Sequence, residues 1–389
     1  MKRLSTVAAL AAALLCASAP GASAQEAPDA QAMYGKALDW YLASQHENGG
    51  FGQVPGQPPG ELGMTGLAIN ALANAPAPFQ AKARPAAERA VAFVLKHQQP
   101  DGSFSQARSG LSTYRTAISI MALVALDPVK YREQVSKATA WLKGDQFDEA
   151  EGVEPSSPYY GGFGYDQGGE KPDADLSNTL MALSALDAAG IPKDDPVYQR
   201  ALTFLSRCQN NSETNPAVGG LKPKDDGGFI YDPGLDRNKS SMTEHEGGAR
   251  SFESYASMTY GGLMSLLHSG LSQDDARVEA ALGWIREHYT LDENYGLGIR
   301  AQDPNAAQQG LYYYYHTFAK CLATLGEPTI QTAQGERRWA DDLVEALAAR
   351  QKPEGFWMNE NDRWWERDPA LVTGYVLNAL NYAWPHRGE

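Results

Sequence analysis

The sequence predicts an all-α fold, an (α/α)6 toroid in which six helical hairpins close into a ring with an inner and an outer wall. Three observations predict it. One unit recurs at intervals of roughly 50 to 80 residues. Each copy has a glycine turn between two amphipathic stretches, and each copy carries threonine and leucine two helical turns apart in its second half.

The first half of the unit reads as a helix with an aromatic residue five positions before a glutamine: Trp40/Gln45, Phe93/Gln98, Trp141/Gln146 and Phe204/Gln209. The fifth copy has Trp284 followed at that distance by Tyr289, and Gln351 marks a degenerate sixth. A glycine turn closed by an apolar residue follows, as in Gly49-Gly50-Phe51, Gly161-Gly162-Phe163, Gly227-Gly228-Phe229 and Gly355-Phe356-Trp357. Glycine supplies the positive φ that ends a helix and reverses the chain. The second half opens on Thr65, Thr116, Thr179, Thr259, Thr317 and Thr373. Leu72, Leu123, Leu186, Leu266 and Leu380 stand seven residues on, and the fifth copy slips by one, to Leu325.

The two halves differ in polarity. Second-half stretches such as 118–126, 180–186 and 376–382 are apolar nearly all round, as expected of helices with protein on both sides, and form the predicted inner wall. First-half stretches mix charges with one apolar stripe, as around Val91, Phe93 and Val94, and form the outer wall. A hairpin with apolar flanks needs a neighbour on each side, which closes the ring. Links from inner to outer helices are short. Links from outer to inner helices are long, above all 146–173 and 209–253, and all lie on one rim. Long loops on a rigid scaffold are where binding and catalysis concentrate, so this rim is the candidate face.

Lys2 and Arg3 precede an apolar run from Val7 to Ala19, and Ala22-Ser23-Ala24 offers the small residues of a cleavage site. Residues 1–24 read as a signal peptide and 25–389 as a single toroid domain, exported to the periplasm or the outside. The run is too short to anchor the chain, and no transmembrane anchor is expected. Losing Lys2 and Arg3 takes the formal charge from −14 to −16, a balance that repels phosphate backbones, so no nucleic-acid partner is expected. Cys16 leaves with the signal. Cys208 and Cys321 remain, and a domain of this size needs no disulfide between them.

The aromatic-x4-Gln helix with its glycine-aromatic turn resembles the repeat of squalene-hopene cyclases and of protein prenyltransferase β subunits, both α/α toroids. The resemblance spans nearly all of residues 25–389. It implies a structural role for Gln45, Gln98, Gln146, Gln209 and Gln351, each tying a helix end to its turn. Class II cyclases protonate an alkene with the central aspartate of a D-x-D-D-T pattern. The matching stretch is Asp175-Leu176-Ser177-Asn178-Thr179, in which Ser177 and Asn178 replace the donor and its neighbour. Asp173 and Asp175 read equally as caps of the following helix. Tyr315-His316-Thr317 is similar to the segment carrying the prenyltransferase zinc histidine. Tyr255 and Ser257 occupy the place of its partners, so neither a metal nor another cofactor is expected.

Three readings follow. The first is a toroid that binds a hydrophobic, isoprenoid-like molecule or a partner protein segment in its central cavity, lined by Tyr255, Tyr260, Tyr312 and Tyr315 and by Trp364 and Trp365 at the rim. Of the run Tyr312 to Tyr315, at least two rings are expected to face the barrel mouth. The second is a cyclase- or transferase-type enzyme using a displaced acid: Glu253, Asp175 or His316. The third is a carbohydrate-active enzyme. It needs two rim carboxylates roughly 5 to 9.5 Å apart, to be sought among Asp232, Glu244, Glu253, Asp175 and Asp368.

Overall fold

A computed structural model describes residues 28–106, 110–166 and 172–388. Residues 1–24, expected to be a signal peptide, and Cys16 within them lie outside the described residues. Among the described residues, twelve α-helices alternate between two layers. The outer layer holds α1 (Ala30–Ala43), α3 (Gln80–Leu95), α5 (Arg132–Lys143), α7 (Pro196–Cys208), α9 (Ala276–Glu287) and α11 (Trp339–Ala348). The inner layer holds α2 (Leu62–Ala73), α4 (Ser112–Leu126), α6 (Leu176–Ala188), α8 (Ala256–His268), α10 (Leu311–Leu325) and α12 (Pro369–Ala383). Each inner helix packs on the next, and α12 packs on α2, so the ring is closed. Burial follows the sequence polarity: α8 buries every residue except Leu267, whereas α5 buries only Val135, Ala138, Thr139 and Leu142.

The repeated residues do the joining. The side-chain amide of Gln146 donates to the carbonyls of Gly161 in its own turn (2.8 Å) and of Val197 in the next outer helix (2.9 Å). Gln45, Gln98 and Gln209 make the same pair of bonds, to Gly49 and Ala86, Gly102 and Gln134, and Gly227 and Arg277. Gln351 completes the circle by donating to Gly355 and to Met33 of α1. In the fifth repeat, Tyr289 reaches the next outer helix with its hydroxyl, which donates to Asp342 at 2.8 Å. The turn glycine must be glycine: Gly227 has φ +80°, and a Cβ there would run into the carbonyl oxygen of Ala280 in α9.

The threonines hold the other side of each turn. The backbone N–H groups of Phe51, Phe104, Phe163, Phe229 and Trp357 donate to Thr65, Thr116, Thr179, Thr259 and Thr373. Thr317 instead bonds only carbonyls of its own helix, Tyr313 and Tyr314. The fifth repeat is thus irregular at both ends, as its displaced leucine suggests.

Two short hairpins interrupt the all-α pattern. β1 (Met242–Glu244) pairs with β2 (Arg250–Phe252) inside the longest rim loop, and β3 (Ile330–Thr332) pairs with β4 (Gly335–Arg337) in the connection from α10 to α11. A loop of that length has backbone groups to satisfy, and pairing them with one another does so locally. Cys208 and Cys321 are both buried free thiols. No helix among the described residues is long and apolar enough to cross a membrane.

Candidate functional site

In an alternating ring every inner helix runs the same way, so six helix N-termini meet the long-loop rim. Each exposes unpaired N–H groups and the positive end of its dipole, and each therefore attracts an acceptor side chain. Glu61 caps α2 through the N–H of Met64 at 2.7 Å. α4 is capped from outside, by Asp166 on the N–H of Ser112 and by the Tyr165 carbonyl on the N–H of Thr113, whose hydroxyl donates to Asp145. Asn294 caps α8 through Ser257, Glu366 caps α10 through Tyr313, and Asp368 caps α12 through Ala370 and Leu371.

Asp175 belongs to this set. It is the N-cap of α6, fully buried, and one oxygen accepts from the N–H of Asn178 and the hydroxyl of Ser177, both at 2.9 Å. The other oxygen accepts from the Asn178 side-chain amide at 2.9 Å. Burial raises its pKa, and these donors oppose that rise. Asp173 does not cap; its carboxylate faces Arg237 at 3.5 Å. Arg237 also pairs with Asp232 at 3.1 Å and donates to the carbonyl of Ala174, bracing the start of α6.

Inside the rim, tyrosines from several repeats converge. The Tyr165 and Tyr231 hydroxyls lie 3.1 Å apart, with Asp175 beside them. Tyr114 and Tyr375 adjoin, and the Tyr313 ring packs edge-on against Tyr375 at 5.9 Å. One turn deeper, His316 stacks on Tyr375 at 5.6 Å and neighbours Tyr382 at 6.1 Å. Another turn down, the ammonium of Lys320 lies 3.9 Å from the sulfur of Met121. Lys320 is the tenth residue of α10 and Met121 the tenth of α4, the helix opposite it in the ring, so this contact crosses the axis. Tyr114, Tyr313, His316 and Lys320 are enclosed by the ring yet keep accessible surface, which is the surface of an internal hollow.

Behind this lining, two polar atoms go unpaired among the described residues. The Tyr313 hydroxyl and His316 Nδ1 are buried without a hydrogen-bond partner. Burial, then the nearby Lys320 charge, pulls the His316 pKa down to about 3, so its ring is neutral at pH 7 and has no proton to give as an acid. Its ring neighbours are tyrosines, a set that does not suit zinc, and among the described residues no three His, Cys, Asp or Glu side chains gather as a metal site.

The other residues singled out from sequence fall in different places. Glu253 is buried and salt-bridged to both Lys224 and Arg300, so it is not a free acid. Tyr255 is buried at the start of α8, facing Tyr313 and Asp175. Tyr260 is wedged between α8 and α10 against Tyr314 and Phe318, part of the wall and not of its lining. Tyr312 packs on Tyr315, whose hydroxyl donates to the carbonyl of Leu291 and whose ring lies under Arg350. Both therefore turn toward the outer layer, and of the four consecutive tyrosines only Tyr313 faces the hollow. Trp364 and Trp365 do reach the rim, 37% and 49% exposed, with left-handed φ of 54° and 67°. The Trp364 ring covers Gly310 at the start of α10.

Sequence reading missed Tyr114, Tyr165, Tyr231, Tyr375 and Lys320. Tyr165 and Tyr231 each stand two residues after the turn phenylalanine, a shared register that marks them. Lys320 is the one charge within an otherwise apolar inner helix.

Among curated proteins, drimenyl diphosphate synthase of Streptomyces showdoensis is 27% identical over 205 residues, covering 51% of this chain and 34% of that protein. The chain thus spans about a third of that relative. Among solved structures, the type II terpene cyclase MstE from Scytonema, in complex with geranylgeranyl dihydroxybenzoate, superposes with a TM-score of 0.56 at 14% identity, over 92% of this chain and 98% of that one. An unsaturated glucuronyl hydrolase specific for heparin superposes with a TM-score of 0.58 at 14% identity, over 92% and 96% of the two chains. Such low identities speak for the fold alone. The profile of the prenyltransferase alpha-alpha toroid domain matches residues 11–214 and 175–355, most of the sequence, and the chain belongs to that family.

Proposed function

We propose that this protein is a ligand-binding toroid. An isoprenoid-like molecule enters through the long-loop rim and lies among Tyr114, Tyr165, Tyr313 and Tyr375, without the alkene protonation of the cyclases. One observation carries the reading: Ser177 stands where the cyclases carry their proton donor, and Asp175, the first aspartate of that pattern, is occupied by three donors as a helix cap, while tyrosine faces line the space beside it. Aromatic faces bury apolar chains and tolerate π-rich ones. The complex of MstE with its geranylgeranyl substrate supports a ring of this fold accommodating such a chain. We further place the mature protein outside the cytoplasm, beginning at Gln25.

The test is a titration of the purified protein with farnesol and geranylgeraniol, followed by intrinsic fluorescence, beside mass spectrometry of lipids that copurify from the native host. Saturable binding that Tyr313→Ala weakens about tenfold supports the reading. Absence of both saturable binding and a copurifying ligand overturns it. Product formation from squalene or a prenyl diphosphate that Asp175→Asn abolishes would replace it with a catalytic one.

A further inference from the structure

Among the described residues, Lys320 forms no ion pair. The polar contact of its ammonium among the described residues is the thioether of Met121 across the ring. Asp187, the carboxylate whose charge reaches it, is engaged by His268 Nδ1 at 2.8 Å and by Lys193. Around Lys320 stand basic nitrogens that also lack partners: His316 Nδ1 on the preceding turn of α10, and His268 Nε2 on the neighbouring inner helix. The Lys320 charge lowers the pKa of both rings. An ammonium enclosed in protein without a carboxylate or a full set of acceptors is costly, and such a group is ordinarily neutralised or paired. Lys320 itself is pulled down to about 8 by burial, so most of it remains charged at pH 7.

We propose that Lys320 receives the carboxylate of a lipophilic acid, whose tail rises past Tyr375 and Tyr313 toward the tryptophan rim. The inference rests on the binding role argued above and narrows its ligand class. Seven residues separate Tyr313 from Lys320, about 10 Å along α10 at ~1.5 Å per residue, so a head group at the lysine leaves an isoprenoid tail threaded through the tyrosines. At the other end, Trp364 and Trp365 offer exposed apolar surface in strained left-handed backbone, a cover for the end of such a tail. A ligand carboxylate supplies what the site lacks: an acceptor for the ammonium.

The experiment compares farnesoic acid, farnesol and farnesylamine on the whole protein at pH 7, by calorimetric titration of wild type and of Lys320→Met, a substitution close in shape to the lysine stem. Expected for wild type is at least ~10-fold tighter binding of the acid than of the alcohol, with the amine weaker than both. In Lys320→Met the acid should lose that advantage while the alcohol binds as before. Equal binding of acid and alcohol by wild type, or a preference that persists in Lys320→Met, overturns this inference and leaves the binding role standing. If none of the three probes binds, this inference falls, and the binding role falls with it when no lipid copurifies either. The wild-type ranking alone decides the matter should the variant not fold.

Discussion

Replacing Asp175 separates a helix cap from a proton donor. Asp175→Ala removes the acceptor for the N–H of Asn178, for its side-chain amide and for the Ser177 hydroxyl. Loss of an N-cap costs about 1 kcal/mol, with a range of roughly 0.5–2. Asn178 is buried and its Oδ1 already lacks a partner, so orphaning its amide donor adds about 1–3 kcal/mol. The expected destabilisation is therefore roughly 2–4 kcal/mol. Asp175→Asn keeps one oxygen for the N–H and the hydroxyl. Its new amide would face that of Asn178, but a flip of Asn178 turns its idle Oδ1 into an acceptor for it. That variant should lie within about 1 kcal/mol of wild type. Urea unfolding followed by circular dichroism reads both, and lipid binding should be retained in both while the fold persists. If Asn is as damaging as Ala, the negative charge and not the acceptor geometry is what the site uses. If Ala is silent, the capping account fails.

The threonine bonds predict an asymmetry between repeats: Thr179→Val strands the buried N–H of Phe163 and should cost about 1–3 kcal/mol, whereas Thr317→Val, which strands no turn N–H, should cost under about 1 kcal/mol, both read by urea unfolding. Burial pushes the Glu366 pKa up to about 7 from its ordinary 4.5. Between those values the folded chain holds a proton that the unfolded chain has released, so stability should fall as pH rises through that window, by on the order of 3 kcal/mol. Glu366→Gln should flatten that part of the stability–pH curve; an unchanged slope would refute the assignment, with Asp145, also raised to about 7, among the further carboxylates that burial raises. Terminal sequencing of the protein from its native host should start at Gln25, and a chain retaining Met1 would remove the expectation of export.

What was legible in the sequence was whatever local chemistry dictates. A glutamine that must reach its own turn, a glycine with positive φ and a threonine that accepts a turn N–H recur because backbone geometry demands them, and they disclosed the hairpins, their order and the closed ring. Capping by Asp175 was legible for the same reason, since the acceptor lies three residues from its donor. The lining of the hollow depends instead on helix phase. In α10 the repeat leucine stands eight residues after Thr317 instead of seven, and one residue is about 100° of rotation. That slip turns Tyr313, His316 and Lys320 to the axis and sends Tyr312 and Tyr315 outward. The tyrosine cluster was hidden by distance: Tyr114, Tyr165, Tyr231 and Tyr375 come from different repeats, and only closure of the ring brings them together.

The parallel inner ring also decides which polar residues are informative. Six aligned dipoles each place about half a positive charge on the long-loop rim. That rim consequently collects Glu61, Asp166, Asp175, Glu366 and Asp368 as caps, whether or not any chemistry occurs there. An acid at the start of an inner helix is thus weak ground for catalysis in any ring built this way, and its hydrogen-bond partners have to be counted first. The dipole's reach fades beyond the first turn. Tyr313 lies at that limit and serves a cap through its backbone alone, while its hydroxyl serves nothing. His316 and Lys320 lie beyond it and hold no helix end in place. Their polar atoms have no structural duty to explain their position, so the case for function rests on those three residues more firmly than on any carboxylate of the rim.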